Sequence, residues 1–540
     1  MFSKRKYQVF THYYHTDNPD RWESDLSELK NNGFGYLIVS EGFDLKNILA
    51  TDAQKDLLIR FLDAAHAHEV ACVINPGNPR ELYILPDARR WRLDYIRHVA
   101  EALGDHPAVY ALMLEDGPSG GANASFERWK TVTAELEGRI ESDNLTGDGY
   151  QYAVKKWQME QYADYTQELV TVIKKARSRL KTTICFQLDG LFPTESLVHY
   201  QNTAQHLDFV MIDSGPKWIG DAKQRQSLPS FAASVASGLV DKPIWFLVGS
   251  HVENTRYRPE LRDLRDWTRQ VALQGITGIG WRGWDGGSWK EPYQVRGAPL
   301  AETRPEYWKT MLALSRDISD TDPVEKSFAT HVCLLTYDGF INRLAMDDIF
   351  VVNETLRAAG IAPLSYVSDT QLLAKKGLQK RKVLYISPCP AVSGPVIDQM
   401  RLFMESGGWI IASGDDGALD EQMLPSETRS QMFGIEDEEP MLHDDRILLG
   451  VSIGQLSEGA SLPSAWFRSR LTTLRDDVRI LGRWGDGSPA ITLTGHGKGG
   501  VLYVGTDLYR SAAQADTDWT LFLEAGSDTD TLKELAGGAS

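Results

Sequence analysis

Residues 105–121 read DHPAVYALMLEDGPSGG. The apolar run 108–114 has the length and composition of a parallel strand buried on both faces. It ends in two adjacent carboxylates, Glu115 and Asp116, followed by a loop of Gly, Pro and Ser. Charged groups at the carboxyl end of such a strand are typical of the active-site face of an α/β barrel. An Asp before Gly and Pro is also typical of a helix N-cap, so catalysis and capping both stay open.

The same alternation of strand and helix runs through the first part of the chain. Apolar runs of strand length occur at residues 7–14, 35–40, 70–75, 182–189, 207–213, 242–250 and 275–284. Helical periodicity separates them, and eight strand and helix units in succession predict a (β/α)8 TIM barrel. We therefore predict that residues 1–322 form the barrel, with its active site at the carboxyl ends of the strands.

A polar stretch, residues 317–328, interrupts this pattern. Further strands and helices follow it, and they predict a second α/β domain over residues 329–525. Residues 526–540 are rich in Gly, Ser, Asp and Thr, and we predict a flexible tail there.

Composition narrows the possible partners. The formal net charge of −17 disfavours nucleic acid and acidic membranes, which bind clustered Lys and Arg, and it favours a neutral ligand. No apolar run approaches about 18 residues and no signal peptide is recognisable, so we expect a cytoplasmic protein. Neither the four distant cysteines nor the His, Asp and Glu residues have metal-ligand spacing, so we expect reduced thiols, no metal and no cofactor.

Several stretches of the barrel resemble the glycoside hydrolases of family 42, β-galactosidases that use two glutamates. The matching segments are residues 106–108 before strand four, residues 242–247 in strand seven, Arg258-Pro259 and Trp284. In the nearest register, Asp116 stands at the Asn of the family's Asn-Glu pair. Gly117 then stands at its acid/base Glu, and Val248 at its nucleophile Glu. A slip of one residue in this register would make Asp116 the acid.

The second domain resembles the trimerisation domain of the same family, which is similar to flavodoxin-like class I glutamine amidotransferases. Residues 433–435 (FGI) and 487–508 carry this resemblance. It implies a homo-oligomer, a dimer or a trimer. An amidotransferase would need a nucleophilic Cys near residues 413–415, which read SGD, so we expect no glutaminase activity.

Three catalytic arrangements are open for a glycosidase, which needs two carboxyls about 5–5.5 Å apart for retention or about 6.5–9.5 Å apart for inversion. In the first, Glu115 or Asp116 is the acid and Asp213 or Asp189 activates water, which gives inversion. In the second, Glu253 reaches back from the loop after strand seven as the nucleophile. In the third, Glu115 and Asp116 act together with a substrate 2-acetamido group, as in the substrate-assisted hexosaminidases. Adjacent like charges raise a carboxyl pKa, which suits an acid.

Other side chains after the predicted strands are candidates for binding the sugar. Trp284 offers an aromatic face as the floor of a sugar subsite, although a core position is the alternative. The full set is Glu41, Asp44, Asn75, Lys217, His251, Arg282, Trp284 and Asp285.

Together these features predict a glycoside hydrolase that acts on a neutral oligosaccharide or glycoside. The alternative is a carbohydrate-binding or scaffolding protein that kept the barrel and lost the chemistry. A barrel lyase or isomerase is a third possibility.

Overall fold

The computed structural model describes residues 6–13, 16, 18–39, 51–77, 85–118, 148–191, 198–214, 222–248, 259–281, 301, 304–325, 328–337, 346–386, 388–437, 445–464, 468–514 and 517–537. The chain divides into two compact units. The first is Met1–Gly138 with Lys156–Lys326, and the second is Arg139–Lys155 with Ser327–Ser540.

The first unit contains a closed barrel of eight parallel strands. These are β1 (Gln8–Tyr13), β2 (Tyr36–Val39), β3 (Ala71–Ile74), β4 (Val109–Asp116), β5 (Lys181–Gln187), β6 (Val210–Asp213), β7 (Ile244–Val248) and β8 (Gly278–Trp281). Each strand pairs with the next in sequence, and β8 pairs with β1 to close the cylinder. The predicted TIM barrel is therefore confirmed.

Helices follow the strands, as the periodicity predicted. They are α1 (Pro19–Asn31), α2 (Asp52–Ala67), α3 (Pro86–Leu103), α4 (Asp148–Ala176), α5 (Tyr200–Ala204), α6 (Ala222–Leu239), α7 (Leu261–Ala272) and α8 (Pro305–Ser319). Proline occupies the start of α1, α3 and α8. A backbone N–H at this position would have no acceptor within the helix, so proline loses no hydrogen bond there. Thr51 caps α2 by accepting the Gln54 N–H over 3.2 Å.

Aromatic rings fill the amino-terminal part of the barrel interior. The indole of Trp245 lies at their centre, with ring centroids 4.6–5.8 Å from four other rings, those of Phe10, Tyr36, Tyr110 and Phe209. Two glycines of β8, Gly278 and Gly280, leave the space that these rings occupy. The interior is thus packed at this end, as TIM barrels are.

The second unit is built on a mixed sheet. Its strands are β9 (His331–Leu335), β10 (Leu364–Ser368), β11 (Val383–Ile386), β12 (Trp409–Ser413), β13 (Ile435–Asp437), β14 (Arg446–Leu449), β15 (Ser461–Pro463), β16 (Leu471–Thr473), β17 (Arg479–Trp484), β18 (Pro489–His496) and β19 (Gly499–Val504). Nine of them form one sheet in the order β10-β9-β11-β12-β19-β18-β17-β14-β15. The first five are parallel and have the 2-1-3-4-5 order of flavodoxin-like folds.

The helices of this unit are α9 (Met346–Ala358), α10 (Asp369–Leu373), α11 (Gly394–Glu405), α12 (Leu508–Ala513), α13 (Thr517–Gly526) and α14 (Thr529–Gly537). The last of these corrects the predicted flexible tail. Residues 529–537 form a helix whose Leu532 is fully buried, and Arg479 donates to the Leu535 carbonyl. Composition indicated disorder here, but burial of Leu532 supplies apolar contacts that composition alone does not reveal.

All four cysteines, Cys72, Cys185, Cys333 and Cys389, are buried and form no disulfide. Among the described residues, no helix combines the length and the apolar character that crossing a membrane requires.

Candidate active site

The two adjacent carboxylates of β4 point to opposite sides of the barrel wall. Ala111 and Met113 belong to the interior cluster, so a regular strand would also direct residue 115 inward. The pairing with β5 is irregular, however, because three residues of β4 span only two of β5 between Met113 and Asp116. This bulge shifts the alternation by one residue. Asp116 lies opposite the interior residue Cys185 and therefore faces inward.

Four other polar side chains continue the inward alternation at the carboxyl ends of their strands. Each follows an interior residue by two positions, and Asp213, for example, comes after Phe209 and Met211 on β6. We call the resulting five residues the mouth set; they are His12, Asn75, Asp116, Gln187 and Asp213. Asp213, Asn75 and His12 are buried, Asp116 is half-buried and Gln187 is exposed.

Gln187 lies beside the end of β4 as well as at the end of β5. A Cβ atom added to Gly117 would lie 2.6 Å from Gln187 Nε2, and Gly117 has a positive φ of 71°. Gly117 is the position that resembles the acid/base Glu of family 42. Its space and backbone conformation both disfavour a glutamate there, because the left-handed region favours glycine.

The loop after β3 holds Asn75 in place. Asn75 Oδ1 accepts the Gly77 N–H over 2.9 Å, and Gly77 has a φ of 92°. Tyr95 of α3 donates its hydroxyl to the Pro76 carbonyl over 2.9 Å. The turn is therefore anchored both by its own first residue and by the helix that follows it.

Glu115 faces outward, toward the helices that cover β4. Tyr162 of α4 donates its hydroxyl to Glu115 Oε2 over 2.8 Å. Burial raises the pKa of the Glu115 carboxyl, and the Tyr162 hydrogen bond and the positive charge of Arg92 act in the opposite direction. Glu115, one of the two predicted acids of strand four, is thus placed in a buried polar cluster behind the barrel wall.

Arg92 of α3 is the cation of that cluster. It is 2% exposed, and its Nη2 donates to the carbonyls of Gly77 and Leu114 over 2.7 and 3.0 Å. Its guanidinium also lies over the ring of Tyr95, 5.4 Å from the centroid.

The other predicted site residues divide into two groups. Asp189 lies in a 3-10 helix, Leu188–Leu191, beyond the end of β5, and its side chain is outside the described residues. Eight predicted residues lie outside the described residues altogether: Glu41, Asp44, Lys217, His251, Glu253, Arg282, Trp284 and Asp285.

Sequence analysis missed two members of the mouth set, His12 and Gln187. Counting by two from Phe10 and Cys185 could have found both, since alternation alone places them inward. Arg92 and Tyr162 left no such signal, because a charged or hydroxylated residue on a helix usually faces solvent.

Within the part of the chain that is described, no three His, Cys, Asp or Glu side chains converge as a metal site would require. In the second unit, burial raises the pKa of the Cys389 thiol, which disfavours the thiolate that a cysteine nucleophile needs. Ser413, where β12 ends, is also buried.

Comparisons with known proteins identify the fold. The sequence matches no protein-family model, and it matches no curated protein. Among solved structures, the β-galactosidase of Bacillus circulans sp. alkalophilus superposes with a TM-score of 0.78 at 14% identity, covering 99% of this chain and 89% of that one. Gan42B, a GH42 β-galactosidase from G. stearothermophilus, gives 0.77 at 15% identity, covering 95% and 88%.

The exo-β-1,4-mannosidase Op5Man5 from Opitutaceae bacterium strain TAV5 gives a TM-score of 0.71 at 13% identity, with 97% of each chain covered. These matches extend over both units of the chain. The resemblance noted from the sequence is therefore confirmed at the level of the fold: this chain has the fold of the family 42 β-galactosidases.

Proposed function

We propose that the protein is a glycoside hydrolase that acts on a neutral oligosaccharide or glycoside, with Asp116 and Asp213 as its catalytic carboxyls. The observation that carries the proposal is their common placement. Both belong to the mouth set, on strands separated only by β5, and the aromatic packing at the amino end leaves the carboxyl end as the access route.

The structural neighbours support the class of reaction. The three proteins compared above are named as glycosidases, and they share this fold over 95–99% of the chain. A pair of carboxyls is the machinery of most glycosidases. Asp116 acts as the acid on the leaving-group oxygen, and Asp213 activates the attacking water. The exposed amide of Gln187 lies between their strands and is placed to hydrogen-bond a sugar hydroxyl.

Mutation of each aspartate tests this assignment. We expect wild-type protein to release the phenol from at least one member of a panel of neutral aryl glycosides. Asp116→Asn and Asp213→Asn should each lower kcat by about 10²–10⁴-fold, the range for loss of one acid or base. Full activity of either variant would contradict the assignment.

Asp208 supplies the matched control. It precedes β6 at the opposite end from Asp213, and it pairs there with Lys174 Nζ at 2.8 Å and accepts the Thr182 N–H. Asp208→Asn therefore removes the same charge next to the same strand, and we expect kcat to stay within about twofold of wild type because the residue is remote from the mouth set.

The second candidate function is carbohydrate binding without turnover. It is favoured by Gly117 and Val248, which stand where family 42 has its two glutamates; Val248 is fully buried. Binding of a sugar by calorimetry with no product from any glycoside would establish it, whereas an unsaturated or isomerised product would indicate the lyase or isomerase alternative.

We also propose that the second unit supports a homo-oligomer, on the resemblance of residues 433–435 and 487–508 to a trimerisation domain. Analytical ultracentrifugation tests this directly, since a monomer at micromolar concentration would contradict it.

A further inference from the structure

We propose that Arg92 and Glu115 form a buried clamp that ties the carboxyl ends of β3 and β4 together and so directs Asn75 and Asp116 into the barrel mouth. The role of the clamp in turnover rests on the proposed function, whereas the clamp itself does not. Glu115 is then a positioning residue, and the proton of the reaction is carried by its neighbour.

The Arg92 guanidinium links the carboxyl ends of β3 and β4, which carry two members of the mouth set, Asn75 and Asp116. Arg92 Nη2 donates both to the Gly77 carbonyl, in the turn that Asn75 caps, and to the Leu114 carbonyl, in the bulge of β4. One nitrogen thus fixes the distance between the two strand ends. Hydrogen bonds from a charged donor are about twice as strong as neutral ones, and burial strengthens them further.

Glu115 balances this buried charge. The positive charge of Arg92 acts against burial to lower the pKa of the Glu115 carboxyl, and Tyr162 of α4 donates a hydrogen bond to that carboxyl over 2.8 Å. A buried cation without such a partner is strongly unfavourable. The clamp therefore explains why two carboxylates are adjacent at the end of β4: one compensates Arg92 behind the wall, and the bulge turns the other toward the cavity.

Hydrogen exchange measures the clamp without requiring activity. In Arg92→Met, amides of residues 74–77 and 113–118 should exchange about tenfold or more faster than in wild type, and both segments should change together. Arg92→Lys keeps the positive charge but replaces the planar guanidinium with a single ammonium, and it should increase the exchange rates by an intermediate amount. Arg97 is the matched control, since it is exposed on the same helix and pairs with Asp94 at 3.0 Å. Arg97→Met should leave both segments unchanged.

Kinetics then separates positioning from catalysis. With a hydrolysed glycoside, Glu115→Gln keeps an acceptor for Tyr162, and it should lower kcat by less than about tenfold, with both limbs of the pH profile retained. Asp116→Asn should remove the basic limb and most of kcat. Tyr162→Phe should resemble Glu115→Gln.

Two results would overturn the clamp. The first is unchanged exchange in Arg92→Met and Arg92→Lys, or faster exchange at only one of the two strand ends. The second is a Glu115→Gln variant that loses turnover and the basic limb as Asp116→Asn does. If Arg92→Met does not fold, the lysine and Glu115→Gln variants decide. If wild type hydrolyses no glycoside, the proposed function fails, and the exchange measurement still tests the clamp by itself.

Discussion

Replacing Gly278 with alanine should destabilise the barrel by overpacking its aromatic end. The added Cβ would lie 2.6 Å from Trp245 Cδ1 and Cγ and 3.0 Å from Nε1. The indole has no free direction in which to move, because it is 2% exposed and packs against four other rings. Gly278 has no positive φ, so the whole cost is steric.

Overpacking a tight core costs about 1–3 kcal/mol, and we expect the upper part of that range here because three ring atoms are too close. A loss of about 3 kcal/mol lowers Tm by roughly 5 °C for a unit of about 300 residues, whose unfolding entropy is about 2.1 cal/mol/K per residue. Scanning calorimetry should show this shift in the barrel transition. Glycosidase KM should be unchanged, since the packed end is opposite to the mouth.

Two comparisons make the reasoning refutable. A Cβ at Gly35 would meet no atom within 4 Å, so Gly35→Ala should change stability by no more than about 0.5 kcal/mol. In a Trp245→Phe background the smaller ring should absorb part of the added methyl, and Gly278→Ala should cost at least about 1 kcal/mol less than in wild type. An undestabilised Gly278→Ala, or an equal cost in both backgrounds, would refute the steric account.

We make three further predictions. The sugar first released should have inverted anomeric configuration by proton NMR, because Asp213 is proposed to activate a water that displaces the leaving group directly, without a glycosyl-enzyme intermediate; retention would contradict this assignment. Burial lowers the pKa of His199 to about 3, so stability should fall as pH drops from about 6.5 toward 3; His199→Asn should remove roughly 3–5 kcal/mol of that fall in urea titrations. Burial raises the pKa of Glu115, so the protonated carboxyl adds to the free energy of unfolding below about pH 4, and this addition is lost as pH rises through the pKa of the folded protein. Glu115→Gln should remove this pH dependence. An unchanged dependence of the unfolding free energy on pH in that variant would contradict the prediction.

The barrel was predictable because its signal is local. A strand buried on both faces must be apolar along its whole length, and β4 and β7 satisfy this within their own residues. Polar residues at the strand ends were likewise visible, and Asp116, Asp213 and Asn75 were all named from the sequence. The α14 helix was not predictable, since its order depends on a surface that receives Leu532, and composition carries no information about such a surface.

The orientation of the two β4 carboxylates was also beyond the sequence. Alternation predicts that Glu115 and Asp116 face opposite sides, but which one faces inward depends on the pairing with β5. A bulge is defined by the pairing of two strands, so the sequence of β4 alone does not reveal it. The buried partners of Glu115 come from α3 and α4, which are distant in sequence, and only the folded chain brings Arg92 and Tyr162 to it.

The bulge thus gives one pair of acids two different environments. Without it, Glu115 would continue the inward series of Ala111 and Met113, and Asp116 would be turned toward the covering helices. Arg92 would then face the shorter side chain of Asp116, and the side chain of Glu115, which now accepts from Tyr162, would project into the barrel mouth. In the register that resembles family 42, the acid/base Glu falls at Gly117, one residue after the inward carboxyl of Asp116. Gly117 itself has a left-handed backbone, and Gln187 Nε2 would lie 2.6 Å from a Cβ atom there, so this position has no room for an acidic side chain.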